Sequence, residues 1–190
     1  MSAPDTREAL LQAAESLLRS KGYAAFSYAD LAQEVGIRKA SIHYHFPAKE
    51  DLGVAVVEAY VAGVVQTFAG IEAESAALAD RLKAFAGLFT AGNRQGRLPL
   101  CGALAAEMAV LPERLQILTR RFFLLQIDWL VKVLDEGTRR SEIPRGTDTR
   151  ACACQLLSQM EGASFVGWVL EDACRFDTAI LLRIAGVEEA

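Results

Sequence analysis

Apolar residues in this chain recur three and four positions apart along most of its length, and nowhere do they alternate with polar ones over a strand-sized run. That spacing places them on one face of a helix, whereas a half-buried strand needs a period of two. Leu10, Ala13, Ala14, Leu17 and Leu18 form the first stripe. Leu52, Ala55, Val56, Ala59, Tyr60, Gly63, Val64, Thr67 and Phe68 form a longer one. Three further helices are expected over Leu78–Phe89, Leu115–Val133 and Ala151–Leu170, with a short last one from about Asp177 to Ala185. Loops are expected at Gly92–Pro99 and Arg140–Thr147, where Gly, Pro, Arg and polar residues gather. No repeat or low-complexity tract interrupts the pattern, so the expected fold is all-α.

With 190 residues and 52% of them hydrophobic, the chain has enough apolar material for a packed core and too much for disorder. No run of eighteen uncharged apolar residues is present, which argues against a membrane partner. The opening residues Met1 to Glu8 turn polar at once, unlike a secretory leader. Four cysteines in such a chain are expected to stay reduced in a cytoplasm. The net charge of −4 speaks against a nucleic-acid partner only until its distribution is read. Residues 1–50 carry six basic and six acidic groups, so residues 51–190 hold the whole deficit.

Punctuation is sharpest near the N-terminus. Gly22 closes the first helix, and Ser27 with Asp30 three residues on forms a capping-box start. The short helix Tyr28–Val35 stops at Gly36, another follows at Lys39–His45, and Pro47 comes next. A helix, a glycine turn and a second helix make a helix-turn-helix, with Ala32, Val35 and Ile42 placed to pack the pair together. Between Glu34 and Glu50 there is no acid, while Arg38, Lys39 and Lys49 make the window 35–49 net +3. His43, Tyr44 and His45 interleave hydrogen-bonding rings, and small Ala40 and Ser41 allow close approach to a phosphate.

Residues Ser27–Leu52, SYADLAQEVGIRKASIHYHFPAKEDL, resemble the DNA-binding segment of TetR-family transcriptional regulators. Gly36-Ile37, Phe46-Pro47, Lys49 and Leu52 occupy the places of that family's pattern, and the first helix and chain length agree. His43 stands where the family usually has Tyr, which bears on base preference, and Ala40 where Gly or Pro is frequent. The resemblance implies that residues 1–50 form a three-helix DNA-binding domain, joined by a long helix to an effector and dimerisation domain over residues 51–190. It makes Lys39–His45 the recognition helix in the major groove of double-stranded DNA. Arg38, Lys39, Ser41 and His43 then face bases or nearby phosphates, Tyr44, His45 and Lys49 face the backbone, and Ser27 and Tyr28 add a phosphate contact. Phe46 is expected in the core.

One such module reads half a site, so a homodimer on a palindromic operator is implied. Gly162, Ala163, Ser164 and Gly167 put small residues along one helix beside Val166, an expected dimer face in which the last two long helices pair. Phe85, Phe89, Met108, Phe122, Phe123, Trp129 and Met160 are candidates to line a pocket for a small hydrophobic effector. Gln126 and Asp128, which interrupt their helix's apolar stripe, read as its solvated face. Cys101 joins the pocket set: it lies at a loop-to-helix junction with Arg94 and Arg97 nearby, a setting that favours thiolate chemistry. Some TetR-type repressors that respond to electrophiles or oxidants resemble this arrangement. His43 and His45, two apart, diverge on a helix, and Cys152, Cys154 and Cys174 have no zinc spacing, so no metal or cofactor is expected. No nucleophile–base set or phosphate loop is visible, so catalysis is not expected. The expected function is a ligand-responsive regulator, a repressor released by a small molecule or by thiol modification. The alternative is a helical small-molecule carrier or protein-binding dimer without DNA binding, which has no use for an acid-free window at 35–49.

Overall fold

The computed structural model describes residues 6–93, 96–170 and 177–187. Among these, every regular element is a helix. The order is α1 (Thr6–Lys21), α2 (Tyr28–Val35), α3 (Lys39–His45), α4 (Lys49–Glu74), α5 (Leu78–Asn93), α6 (Leu100–Ala106), α7 (Glu113–Arg139), α8 (Thr149–Leu170) and α9 (Ala179–Ala185). The short helices α2 and α3 keep the bounds their sequence signals set. α4, α5, α7 and α8 run a few residues beyond their apolar stripes, because a helix continues until its backbone is capped, not until its buried face ends. Helix α6 has no amphipathic signature: Leu100, Cys101, Gly102, Ala103 and Leu104 are all buried, a continuous run that periodicity cannot reveal.

The chain folds into two compact units. The first comprises the residues up to Ala62 together with Pro99–Arg121, and the second comprises Gly63–Leu98 with everything from Phe122 onward. Division by compactness therefore follows space rather than chain order. The core of the first unit gathers Leu10, Leu18, Phe26, Leu31, Ile42, Phe46, Leu52 and Val57 with Leu100, Leu104 and Leu115 from far along the chain. The core of the second unit gathers Phe68, Leu82, Phe85, Phe89, Trp129, Leu130, Val133, Leu156, Met160 and Leu182. Its centre is aromatic: the Phe68 and Trp129 rings stack at 4.3 Å, with Phe85 5.6 Å from Trp129.

Helix α4 is the one described helix long and apolar enough to cross a membrane by length and composition. Its apolarity has another cause. Leu52, Val56 and Val57 are buried in the first core and Phe68 and Ile71 in the second, so the helix supplies both. Arg81 is buried within the second unit and paired with Glu136 at 2.5 Å, and its Nε donates to the Ser75 carbonyl, so that charge is compensated on two sides.

Candidate nucleic-acid interface

The face that reads outward from the first unit is built from the α1–α2 loop upward. Ser27 caps α2: its hydroxyl accepts from the Ala29 and Asp30 amides, while the Asp30 carboxylate accepts from the Ser27 amide at 2.8 Å. Hydrogen bonds from Ser27, the Lys21 ammonium and the Ser27 amide hold the Asp30 carboxyl well below the usual carboxylate range. Gly36 ends the helix at φ +75°, the left-handed conformation that lets the chain turn at once into α3. Ile42 and Phe46 then fix α3 by burying into the core, and the Tyr28 hydroxyl donates to the Phe46 carbonyl at 2.9 Å. Burial first, then Asp51 and Tyr23, raises the Tyr28 hydroxyl to about 12, so it remains a donor at any physiological pH.

Locked in this way, α3 exposes Lys39, Ala40, Ser41, His43 and Tyr44, with Arg38 exposed at its N-cap. Tyr44 is 85% exposed, the most extreme of the large hydrophobic side chains. The Nδ1 of His43 lies 3.2 Å from the Pro47 carbonyl, which can only accept, so Nδ1 carries the proton and neutral His43 offers an Nε2 lone pair outward. Its ring also stands edge-on to Tyr28 at 4.9 Å, which restricts its rotation. His45 is half-buried, with its ring against that of Tyr44. An open groove of about 480 Å³ runs between Thr6 and the α3 residues Ala40, Ser41, Tyr44 and His45, with Ile37 beside them.

Three of the residues expected on this face do other work, and the Tyr28 hydroxyl is already committed to the Phe46 carbonyl. The Lys49 ammonium turns inward and donates to the carbonyls of Tyr23 and Phe26, both at 2.5 Å, over the faces of their two rings. Burial pushes its pKa down, against the opposing pull of Glu107 and Asp30. The expectation that Lys49 contacts a phosphate is therefore corrected: two carbonyls at hydrogen-bond distance and two aromatic faces hold the cation in place. Ser27 is exposed, but its hydroxyl is committed to the capping box. The same loop is gripped from the other side by Glu107, whose carboxylate accepts from the Tyr23 amide at 2.5 Å and the Ala24 amide at 3.1 Å. Gly22, at φ +86°, brings the chain close beneath that carboxylate. Sequence reading missed Glu107, whose partners lie more than eighty residues away, and it missed Thr6 and Arg7, which start α1 beside α3. The Arg7 guanidinium sits 5.4 Å from the Phe46 ring.

The candidate effector residues divide between the units. Phe85, Phe89, Trp129 and Met160 come together in the second core. Phe122 is buried, and Phe123 packs half-buried against that core. Met108 packs on the first core, and Cys101 is buried in the same unit with no exposed surface. Arg94 and Cys174 lie outside the described residues. Cys152 is buried and Cys154 exposed, the divergence their spacing predicts. Among the described residues no cluster of three His, Cys, Asp or Glu side chains is placed to hold a metal.

One sequence expectation fails outright. Asp128 is exposed and pairs with Arg150 at 2.9 Å, but Gln126 is only 3% exposed and belongs to the interior. It lies three residues before Trp129 and four after Phe122, on the buried face of α7. On α8, Gly162 and Val166 are exposed while Ala163 and Gly167 are half-buried, and Trp168, Val169 and Leu170 extend an exposed apolar strip.

The sequence model for the bacterial regulatory proteins of the tetR family matches residues 10–56. The nucleoid occlusion factor SlmA of Marinobacter nauticus is 40% identical over 55 residues, which is 29% of this chain and 28% of that protein. The chain thus matches little more than a quarter of the length of its curated relatives. Solved structures extend the likeness. A TetR transcriptional regulator from Legionella pneumophila is 31% identical, covering 97% of this chain and 96% of its own, with a TM-score of 0.82. A TetR-family regulator from Agrobacterium tumefaciens is 33% identical, covering 95% and 93%, with a TM-score of 0.81.

Proposed function

The chain belongs to the TetR family of bacterial transcriptional regulators, and on that premise we propose that it is a cytoplasmic homodimeric repressor. It binds a palindromic operator through α3 and is released by a small, largely apolar molecule. The observation that carries this reading is the outward face of α3. Arg38, Lys39, Ser41, His43 and Tyr44 all stand exposed there, in a stretch without a carboxylate, while Ile42 and Phe46 anchor the helix from behind. Cations without competing anions gain affinity by releasing counterions from DNA, and the short polar side chains between them supply base-edge contacts.

The contact set is narrower than the sequence alone implied. Arg38, Lys39, Ser41, His43 and Tyr44 meet the groove, with Arg7 and Thr6 beside them on the first turn of α1. Lys49, Tyr28 and Ser27 act from behind by holding the frame. Dimerisation is assigned to the outer face of α8, where Gly162 and Ala163 permit close approach and Val166, Val169 and Leu170 supply exposed apolar area. Of the two release routes, the small-molecule one is retained, because a Cys101 thiol with no exposed surface offers a reagent no approach. Helices α4 and α7 each run through both compact units, so a ligand that shifts either helix alters how two α3 helices match half-sites about 34–36 Å apart.

The test is a mobility shift on genomic fragments from the protein's own locus, repeated over a range of salt. A retarded complex whose affinity falls steeply with salt supports the reading. A protein that dimerises and retards no fragment is instead the carrier or protein-binding dimer, and the proposal fails.

A further inference from the structure

Helix α3 carries one exposed group whose hydrogen-bonding sense is set by the fold itself. His43 lies on the outer side of the helix, and its Nδ1 stands 3.2 Å from the Pro47 carbonyl. A carbonyl only accepts, so Nδ1 holds a proton, and in the neutral ring Nε2 is then an acceptor and nothing else. Turning the ring over would put a carbon against the Pro47 carbonyl and forfeit that bond. Tyr28 holds the ring from the side, edge-on at 4.9 Å and 61°. Tyr28 is itself tied down, since its hydroxyl donates to the Phe46 carbonyl at 2.9 Å. The acceptor is therefore in place before any partner binds.

The other exposed polar groups of this face are of a different kind. Arg38 and Lys39 only donate, and the Ser41 and Tyr44 hydroxyls both donate and accept. A neutral His43 is restricted to accepting. Phosphate oxygens also only accept, so the backbone offers its Nε2 no bond, whereas a tyrosine at that place would donate one. In the major groove the base donors are the N6 amino group of adenine and the N4 amino group of cytosine. Guanine presents N7 and O6 there and thymine presents O4, all acceptors. Every base pair holds one amino and one keto base, so an acceptor at a fixed place distinguishes adenine from thymine and cytosine from guanine on the strand it meets.

We propose that His43 is a specificity-determining residue that reads an amino base. Where it meets the groove, each half-site carries adenine or cytosine, whose amino group donates to Nε2, and not guanine or thymine. The inference rests on the DNA-binding reading above and names the class of base taken at one position. Lys39 stands four residues earlier on the same side of α3, its Cβ about 5–6 Å away. Its ammonium suits the guanine N7 and O6 that His43 rejects. One side of the helix thus offers a donor and an acceptor in fixed order, which gives the half-site a direction as well as a composition.

The test is selection of DNA bound by the whole protein from a random library at pH 8, where an imidazole is ordinarily neutral. The parent should enrich adenine or cytosine at one position of each half-site, and His43→Phe should make that position indifferent. His43→Gln, which keeps an acceptor, should retain a preference for adenine there. Both variants are first checked for the parent's thermal transition. On the selected site, adenine is then replaced by purine, or cytosine by 2-pyrimidinone, which deletes the amino group alone. The deletion should weaken parent binding about three- to tenfold and His43→Phe binding by less than about 1.5-fold. Guanine or thymine at the position that His43→Phe relaxes overturns the assignment, as does an equal cost of the deletion in both proteins. A His43→Phe loss spread evenly over all sequences, with a flatter salt dependence, also overturns it and puts a charged His43 on a phosphate. A parent that selects no sequence removes the regulator reading and this inference with it. A selected site with no amino position sensitive to His43 removes this inference alone.

Discussion

The two compact units treat their polar groups in opposite ways. In the first, half-buried polar groups are paired in a closed set, Lys49 to two carbonyls, Glu107 to two amides and Tyr28 to the Phe46 carbonyl, and the exposed Ser27 is tied to Asp30. In the second, Arg81 is satisfied, but Gln126 Nε2 and the Glu161 carboxylate have no partner among the described residues. A satisfied network has one low-energy arrangement and holds α3 at one angle, as reading a rigid duplex requires. An unsatisfied buried group lowers the cost of any rearrangement that would answer it. The closed set lies in the unit that carries the helix-turn-helix, and the unanswered groups lie in the other.

The comparison is tested most severely at Lys49. Lys49→Ala leaves two carbonyls of the α1–α2 loop without their donor and should destabilise the protein by about 2–4 kcal/mol, read by urea unfolding. DNA affinity should fall for all sequences alike. An unchanged stability with weakened DNA binding would return Lys49 to the phosphate backbone and open the closed set.

The second test has the opposite sign. Glu161 holds its proton more tightly in the folded protein, at about 7 against an ordinary 4.5, so stability should be greatest below pH 4.5 as far as this group is concerned. It then declines as pH rises from there to 7 and stays low above. At pH 8 the Glu161→Gln variant should be more stable than the parent by on the order of 2 kcal/mol, with the difference vanishing near pH 4. A difference independent of pH would mean that Glu161 is answered by a neighbour.

Lys39→Ala should leave unfolding unchanged and reduce operator affinity by about 1–3 kcal/mol with altered site preference, measured by selection of bound fragments at fixed salt. A uniform loss over all sequences would make Lys39 a backbone contact. Smallest is Ser27→Ala, which removes the α2 cap and should lower stability by about 1 kcal/mol. An effect near zero would show that Asp30 alone holds the start of α2.

What the sequence made legible was whatever is encoded locally. The Ser27–Asp30 box, the Gly36 turn and the bounds of α2 and α3 depend on residues within four positions of each other, and each has a chemical signature. The site was legible to the extent that exposure follows from helix phase, as at Lys39, Ser41 and His43. Lys49 was not, because its carbonyl partners lie 23 and 26 residues upstream and a backbone carbonyl has no identity in sequence. Gln126 was misread for a related reason: a polar residue within an apolar stripe ordinarily marks solvent, and only packing reveals that α7 turns it inward. Of helix α6 only the start was legible, at the loop-to-helix junction before Cys101, because the continuous buried run Leu100–Leu104 has no period to detect.

Glu107 and its helix carry a consequence for modularity. The reading head does not end where its last helix-turn-helix residue ends. It borrows Leu100, Leu104, Leu111 and Leu115 for its core and Glu107 for its loop, all from the stretch after Pro99. A chimera that grafts residues 6–62 onto another relative's remaining chain leaves those partners behind, so exchange of specificity between relatives has to carry two separated pieces of chain. Recombination that treats the stretch before residue 62 as a bead on a string cuts through a single core.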